Sequence, residues 1–191
     1  MGRTAGRDAD GTRRIILDAA TPMVARHGQE VSLARIADAA GVSKGGLLYH
    51  FPTKEDLLRA SAADLFARFR EAVYAETEKE RGGAHGRLAR GYIRATFAEL
   101  SDDVARDQIA VAAHLMSEPG IQEIASADGR RWRDELMADG LGEQAIRIIV
   151  AASDGVGSAP LWGAILNPDD CAALKEQLLD MTRGGDPEET R

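Results

Sequence analysis

Apolar residues recur along this chain at intervals of three and four, with no sustained alternation, so the pattern is that of helices and strand signals are absent. It is tightest between Val31 and Leu58. Leu33, Ile36, Ala37 and Ala40 share one face of a short helix that Ser32 is placed to cap, and Gly41 follows where a left-handed residue ends it. Val42 anchors the turn. Ser43 caps a second short helix, in which Leu47 and Phe51 face inward while Lys44, Tyr49 and His50 fall on other faces. Pro52 blocks its continuation, and Thr53 with Asp56 resembles a capping box opening a third helix. Helix, glycine-centred turn and helix without a spare residue is the grammar of a helix-turn-helix.

The flanks carry the same period. A helix from Thr12 to His27 presents Ile15, Ile16, Ala19, Ala20, Met23 and Val24 as a core face and stops at Gly28. Pro22 inside it removes one backbone hydrogen bond at a cost of roughly 3 kcal/mol, which predicts a kink or a local break near Asp18 to Pro22. A long helix from Lys54 to about Lys79 turns Leu57, Leu58, Leu65, Phe66, Phe69 and Val73 inward, until Arg81, Gly82 and Gly83 interrupt it. Further helices are expected over Ala84–Leu100, Asp102–Met116 after a Ser101 cap, Pro119–Asp139, Gly142–Trp162 and Asp169–Arg183, giving an all-α chain of about nine helices. Four segments follow: residues 1–11 a disordered basic arm, 12–53 a helix-turn-helix domain, 54–183 a helical bundle, and 184–191 a polar, frayed tail.

Composition narrows the class. A 191-residue chain that is 44% hydrophobic and 5% aromatic suits helices rich in alanine and leucine. The net charge of −7 is unevenly spread: residues 1–60 hold nine basic and seven acidic side chains, the rest fifteen and twenty-four. The acid lies away from the helix-turn-helix, and this separation would focus DNA on the N-terminal end. Arg13 and Arg14, and the arm's Arg3 and Arg7, could reach a phosphate or the minor groove, with a solvated tail the simpler reading of the last two. The single cysteine, Cys171, excludes an internal disulfide, and no Cys or His pair has metal-ligand spacing; neither metal nor cofactor is expected, and the chain suits a reducing cytoplasm. Met1–Gly11 lacks the apolar run of a secretory signal. The most apolar stretch, Ala145–Leu166, is interrupted by Arg147, Asp154 and Pro160, so no membrane span is expected.

The run from Thr12 to Leu58, with its I-A-x-x-A-G-V-S core at Ile36–Ser43 and K-G-G-L-L-Y-H-F-P-T-K-E-x-L-L at Lys44–Leu58, resembles the DNA-binding domain of the tetracycline-repressor (TetR) family of bacterial transcriptional regulators. Several constrained positions agree at fixed spacing, and the remainder of the chain is similar in architecture only. The resemblance implies a homodimer that sets two recognition helices in successive major grooves of a palindromic operator in double-stranded DNA. Lys44 is then placed to reach a guanine edge or phosphate, Gly45 and Gly46 let the backbone approach the groove, and Ser32, Ser43, Tyr49, His50 and Lys54 contact the sugar-phosphate backbone. With Lys44 the one strong base reader, specificity would draw partly on DNA shape. The resemblance further implies a helix from Lys54 that moves as a lever when a small apolar or amphipathic effector binds, releasing a repressor from DNA.

Two further sets follow from the resemblance. Phe66, Tyr92, Phe97, His114, Met116, Trp132 and Trp162 lie in the helices that line the family's ligand cavity, although aromatics at helical spacing ordinarily just fill a core. Ile149, Ser153, Val156, Cys171, Leu174 and Leu178 belong to the last two helices, which in the family pair with their two-fold mates in a four-helix bundle. Read without the family, their stripes fill the monomer's own core equally well. Two other functions stand beside the ligand-released repressor. One is a DNA-binding regulator without small-molecule control, since the second half carries no diagnostic effector motif. The weaker one is a helical-bundle enzyme, for which no nucleophile-base pair, phosphate loop or metal set occurs.

Overall fold

The computed structural model describes residues 9–81, 83–99, 111–113, 115 and 120–183, with side chains at all of these except 29, 99 and 160–162. The elements are α1 (Ala9–His27), a 3-10 turn (Gly28–Glu30), α2 (Leu33–Ala39), α3 (Lys44–His50), α4 (Lys54–Lys79), α5 (Arg87–Glu99), α6 (Ile121–Met137), α7 (Glu143–Trp162) and α8 (Pro168–Met181). Residues 111–113 and 115 are helical as well, and no strand occurs among the described residues. The expected helix over Asp102–Met116, its Ser101 cap, the Pro119 start, most of the arm and the tail beyond Arg183 lie outside the described residues or largely so.

Two apolar cores organise these helices. The first gathers Ile16, Leu17, Ala20 and Val24 of α1, Ile36 of α2, Leu47 of α3, Phe51 and the opening of α4 at Leu57, Leu58, Ala62 and Leu65. It also takes in Val111, Leu115 and Ile121, so the first core extends beyond the N-terminal third of the sequence. The second is built from Val73, Tyr92, Ile93, Trp132, Leu136, Ile146, Ile149, Leu178 and Leu179. Each of these large side chains, once buried, contributes about 1.5–3 kcal/mol. α4 supplies both cores, which makes it a continuous strut between them.

Local chemistry explains the boundaries. α1 begins at Ala9, ahead of the Thr12 expected, and runs through Pro22 without the anticipated break. Ile16 and Ala20 before the proline and Val24 after it pack into one core, which holds the helix together across the missing donor. The Thr21 hydroxyl donates to the Leu17 carbonyl at 3.1 Å one turn back. α2 ends at Gly41, whose φ of +64° is the left-handed cap that the glycine was expected to supply. Further on, α5 crosses α4 at Gly91. A Cβ there would stand 2.1 Å from Thr77 Oγ1 and 2.7 Å from the Val73 carbonyl oxygen, so only glycine permits this approach. The N-terminus of α5 is closed from a distance, because the Asp139 carboxylate accepts from the amides of Leu88 at 3.0 Å and Ala89 at 2.8 Å. An acid at that position also meets the positive end of the helix dipole.

Candidate nucleic-acid interface and cleft

Three side-chain caps fix the angular position of α3 and its neighbours. Ser32 Oγ accepts from the Arg35 amide at 3.2 Å, and Ser43 Oγ accepts from the Gly46 amide at 3.0 Å. Thr53 and Asp56 complete a reciprocal box, with the Asp56 amide donating to Thr53 Oγ1 at 3.0 Å and the Thr53 amide to Asp56 Oδ2 at 3.2 Å. Ser32 and Ser43 are exposed, and capping uses only their oxygen lone pairs, which leaves each hydroxyl hydrogen free to donate outward.

With the caps set, α3 has one buried and one outward side. Leu47 and Phe51 are fully buried. On the other side Lys44 and Gly45 are exposed, and Tyr49 stands out at 81% exposure. His50 is half-buried and meets the Tyr49 ring edge-on at 5.2 Å, which holds the phenol away from the domain. A Cβ on Gly45 would meet only Ser43 Oγ at 4.0 Å, so nothing inside the chain requires glycine there. Lys54 is half-buried at the first turn of α4. Arg13 clamps the end of α3, its Cζ 4.3 Å from the Phe51 ring centre and its Nη1 donating to the His50 carbonyl at 3.4 Å. Arg14, expected to be available to phosphate, is engaged instead: Asp64 lies at 2.7 Å and Asp18 at 3.4 Å. Arg68 pairs with the same two carboxylates, which ties α1 to α4.

A second feature lies between α4, α5, α6 and α7: a solvent-open cleft of about 530 Å³. Phe66, Tyr92 and Trp132 line it, as expected of them. Phe97 does not; it packs half-buried against the second core. His114, Met116 and the Trp162 side chain lie outside the described residues. Trp132 is the hub of the floor, with ring centres of Tyr92 at 5.3 Å, Phe69 at 5.9 Å and Tyr74 at 6.2 Å. Over it lies the Arg70 guanidinium, 4.0 Å from the ring centre and on a residue only 6% exposed. Arg70 pairs with Asp128 at 2.7 Å and Glu135 at 3.0 Å, and Tyr74 Oη donates to Glu135 at 2.8 Å. Burial alone would lower the Arg70 pKa, but its hydrogen bonds to Asp128 and Tyr74 and the nearby carboxylates raise it, so the guanidinium is held charged.

Asp128, Asp154, Arg133 and Arg147 also line the cleft and were not foreseen. A signal for part of this was present, since Asp128, Trp132 and Glu135 recur at helical spacing on one face of α6. What no spacing could supply is the α4 partner, Arg70.

Of the positions expected at a subunit interface, Ile149, Ser153, Val156 and Leu178 are buried within the chain itself, which leaves them no surface to offer. They pack inward because α7 and α8 cover α5, and the helices' own core takes this stripe. Cys171 and Leu174 are half-buried. The outward apolar residues here are Ile148 and, in the α7–α8 connection, Ile165 at 98% exposure and Leu166.

An all-helical chain that presents a capped α3 with an outward Lys44 and Tyr49, joined by a long helix to a second bundle, defines a helix-turn-helix transcriptional regulator. Residues 16–61 match the family described as "Bacterial regulatory proteins, tetR family", and residues 86–183 match "Tetracyclin repressor-like, C-terminal domain". The chain belongs to the TetR family of DNA-binding transcriptional regulators, not to the enzymes. It is similar to the HTH-type transcriptional repressor KstR2 of Rhodococcus jostii, 41% identical over 68 residues that cover 33% of each protein. The match therefore spans about a third of that relative's length. Among solved structures, a transcriptional regulator from Rhodococcus sp. Rha1 superposes with a TM-score of 0.70 at 23% identity, covering 91% of this chain and 97% of that one. The multidrug binding protein EbrR in complex with malachite green gives 0.67 at 23%, covering 89% and 97%. At these identities the two structures speak for the fold. No helix among the described residues is long and apolar enough to cross a membrane.

Proposed function

We propose that the chain is a homodimeric repressor that binds a palindromic operator through α3 and is released when a small molecule occupies the α4–α7 cleft. The observation that carries the reading is the two-sidedness of α3: Leu47 and Phe51 fully buried, Tyr49 and Lys44 turned to solvent. In this reading Lys44 reads a base edge or phosphate, and Ser32, Ser43, Tyr49, His50 and Lys54 fix position on the backbone, with Gly45 leaving room for close approach. Residues 12–53 form the reading head and 54–183 the regulatory part. α4 couples them, because it supplies Leu57 and Leu58 to the first core and Phe66 and Phe69 to the cleft. A ligand that prefers one setting of α4 shifts the equilibrium between DNA-competent and released dimers.

The dimer surface is placed on the outward sides of α7 and α8, with Ile148, Ile165 and Leu166 as its apolar contacts and Cys171 and Leu174 at its margin. A two-fold dimer sets its recognition helices about 34–36 Å apart, one helical turn of DNA. The repressor mode is supported by the name of KstR2, and the small-molecule response by the dye bound in EbrR. Such a regulator acts where the chromosome is, in the cytoplasm.

The test is selection of bound duplexes from a random library by the purified chain, followed by a salt titration on the winner. A palindromic consensus with affinity falling steeply in salt supports the reading. Equal, weak binding to every duplex overturns it, provided that stripping the protein of bound small molecules does not restore selection.

A further inference from the structure

We infer that the α4–α7 cleft takes a dipolar ligand: a flat apolar body carrying an anionic group at one end and a cationic group at the other. This rests on reading the cleft as the effector site. The connection at residues 138–142 is short, so the end of α6 and the start of α7 lie together. Arg133 lies late in α6 and Arg147 early in α7, which puts both arginines at the end of the cleft beside that connection. Asp128 lies earlier in α6 and Asp154 later in α7, at the opposite end. From 147 to 154 is two turns of helix, or about 10 Å of rise. The charge on the two walls is thus ordered along the cleft, basic to acidic, with the Trp132, Tyr92 and Phe69 rings between.

Not all four charges are available. Asp128 is neutralised by Arg70, and Arg147 pairs with Glu143 one turn back. Asp154 accepts a hydrogen bond from Tyr92 Oη at 2.6 Å, a neutral donor that orients the carboxylate without offsetting its charge. Among the described residues Asp154 has no cationic partner, and Arg133 has neither an ion pair nor a hydrogen bond. The free pair is therefore Asp154 at one end and Arg133 at the other. A simple apolar anion would lay its tail against the Asp154 carboxylate and strip water from an unpaired charge, which is costly. A simple cation would leave Arg133 unmatched, but the long arginine stem carries its head back into water, whereas the short Asp154 side chain is held by Tyr92, so the penalty is smaller. The order of preference is dipolar ligand, then cation, then anion.

Three compounds sharing one biphenyl body read this directly: 4'-(aminomethyl)biphenyl-4-carboxylate, 4-phenylbenzylamine and biphenyl-4-carboxylate. Titrated into the full chain by calorimetry, the first binds about tenfold tighter than the amine and tighter still than the carboxylate. Asp154→Asn, which keeps an acceptor for Tyr92, removes the advantage over the carboxylate; Arg133→Gln removes the advantage over the amine. Both positions are exposed, so thermal midpoints stay at the wild-type value and a loss of binding is not a loss of fold. Equal affinities across the series, insensitivity to Asp154→Asn, or no binding by any of the three overturns the proposal. If the chain nevertheless selects an operator that some other compound releases, the repressor reading survives and only the ligand class falls. Failure to select an operator strikes the repressor reading instead.

Discussion

The outward side of α3 and the cleft differ in where their order comes from. Leu47 and Phe51 share a core that reaches into α4 and beyond, but the polar bonds that set the ends of α3 and its neighbours are local caps closing within three residues: Ser32 to Arg35, Ser43 to Gly46, Thr53 to Asp56. The cleft instead joins Phe66 and Phe69 of α4, Tyr92 of α5, Asp128 and Trp132 of α6 and Asp154 of α7, with Arg70 of α4 tying Asp128 in place from behind the lining. Its decisive contacts, such as Arg70 to Glu135, span 65 residues. Local order gives a stiff surface that meets its partner without rearrangement, whereas order from distant contacts is lost or reset as a unit. That is the division of labour the proposed ligand-released regulator needs: a fixed reading head and a responsive second core.

The largest effect expected from breaking this contrast is at Arg70. Arg70→Ala removes the cation over Trp132 and strands Asp128 and Glu135, and should destabilise the chain by about 4 kcal/mol. Thermal unfolding followed by tryptophan fluorescence checks it, since Trp132 lies under the guanidinium. Leu47→Ala comes next, at about 3 kcal/mol, because it empties a fully buried site between α3 and its neighbours. If the head is locally held, chemical denaturation should show this loss with little change in the near-ultraviolet signal of the cleft aromatics. Gly41→Ala should cost about 2 kcal/mol, from the left-handed backbone alone, since the added Cβ meets nothing within 4 Å. Thr53→Ala opens one capping box and should cost about 1 kcal/mol.

The smallest effect is a pH dependence carried by Glu135 and Glu80. Burial alone would raise the Glu135 carboxyl, but hydrogen bonds from Tyr74 and Arg131 and the charge of Arg70 hold it below the usual value of 4.5. Glu80 is likewise lowered, with burial opposed by Arg90 and Arg94. A carboxyl depressed by folding stabilises the native state fully above its unfolded pKa, and the contribution is lost as pH falls through the folded one. Thermal midpoints should therefore fall as pH drops below 4.5, less steeply in Glu135→Gln.

The same contrast explains what the sequence discloses. Ser43, Gly41, Leu47 and Phe51 declare their roles because capping, a left-handed turn and an inward face four residues apart are properties of adjacent residues. Pro22 misleads in part: the rule against internal proline is local, while the packing of Ile16 and Val24 that overrides it is not. At the cleft, the aromatic character of Phe66, Tyr92 and Trp132 marks them as candidates, yet Asp154 and Arg133 resemble any surface charge until α6 and α7 meet at the cleft. Ile149 and Leu178 show the converse. Their stripe is visible in the sequence, but whether it faces a partner or the chain's own core depends on how the helices of the second half stack.

The proposal that α3 meets DNA through its outward side chains stands or falls with Tyr49→Ala. With equilibrium binding to the selected operator measured beside the thermal midpoint, the midpoint is expected to be unchanged and the affinity lower by about tenfold, on the operator and on unrelated duplexes alike. An unchanged affinity in a folded Tyr49→Ala protein would overturn the proposed contact, because a side chain 81% exposed at the centre of the outward face would then have no part in binding.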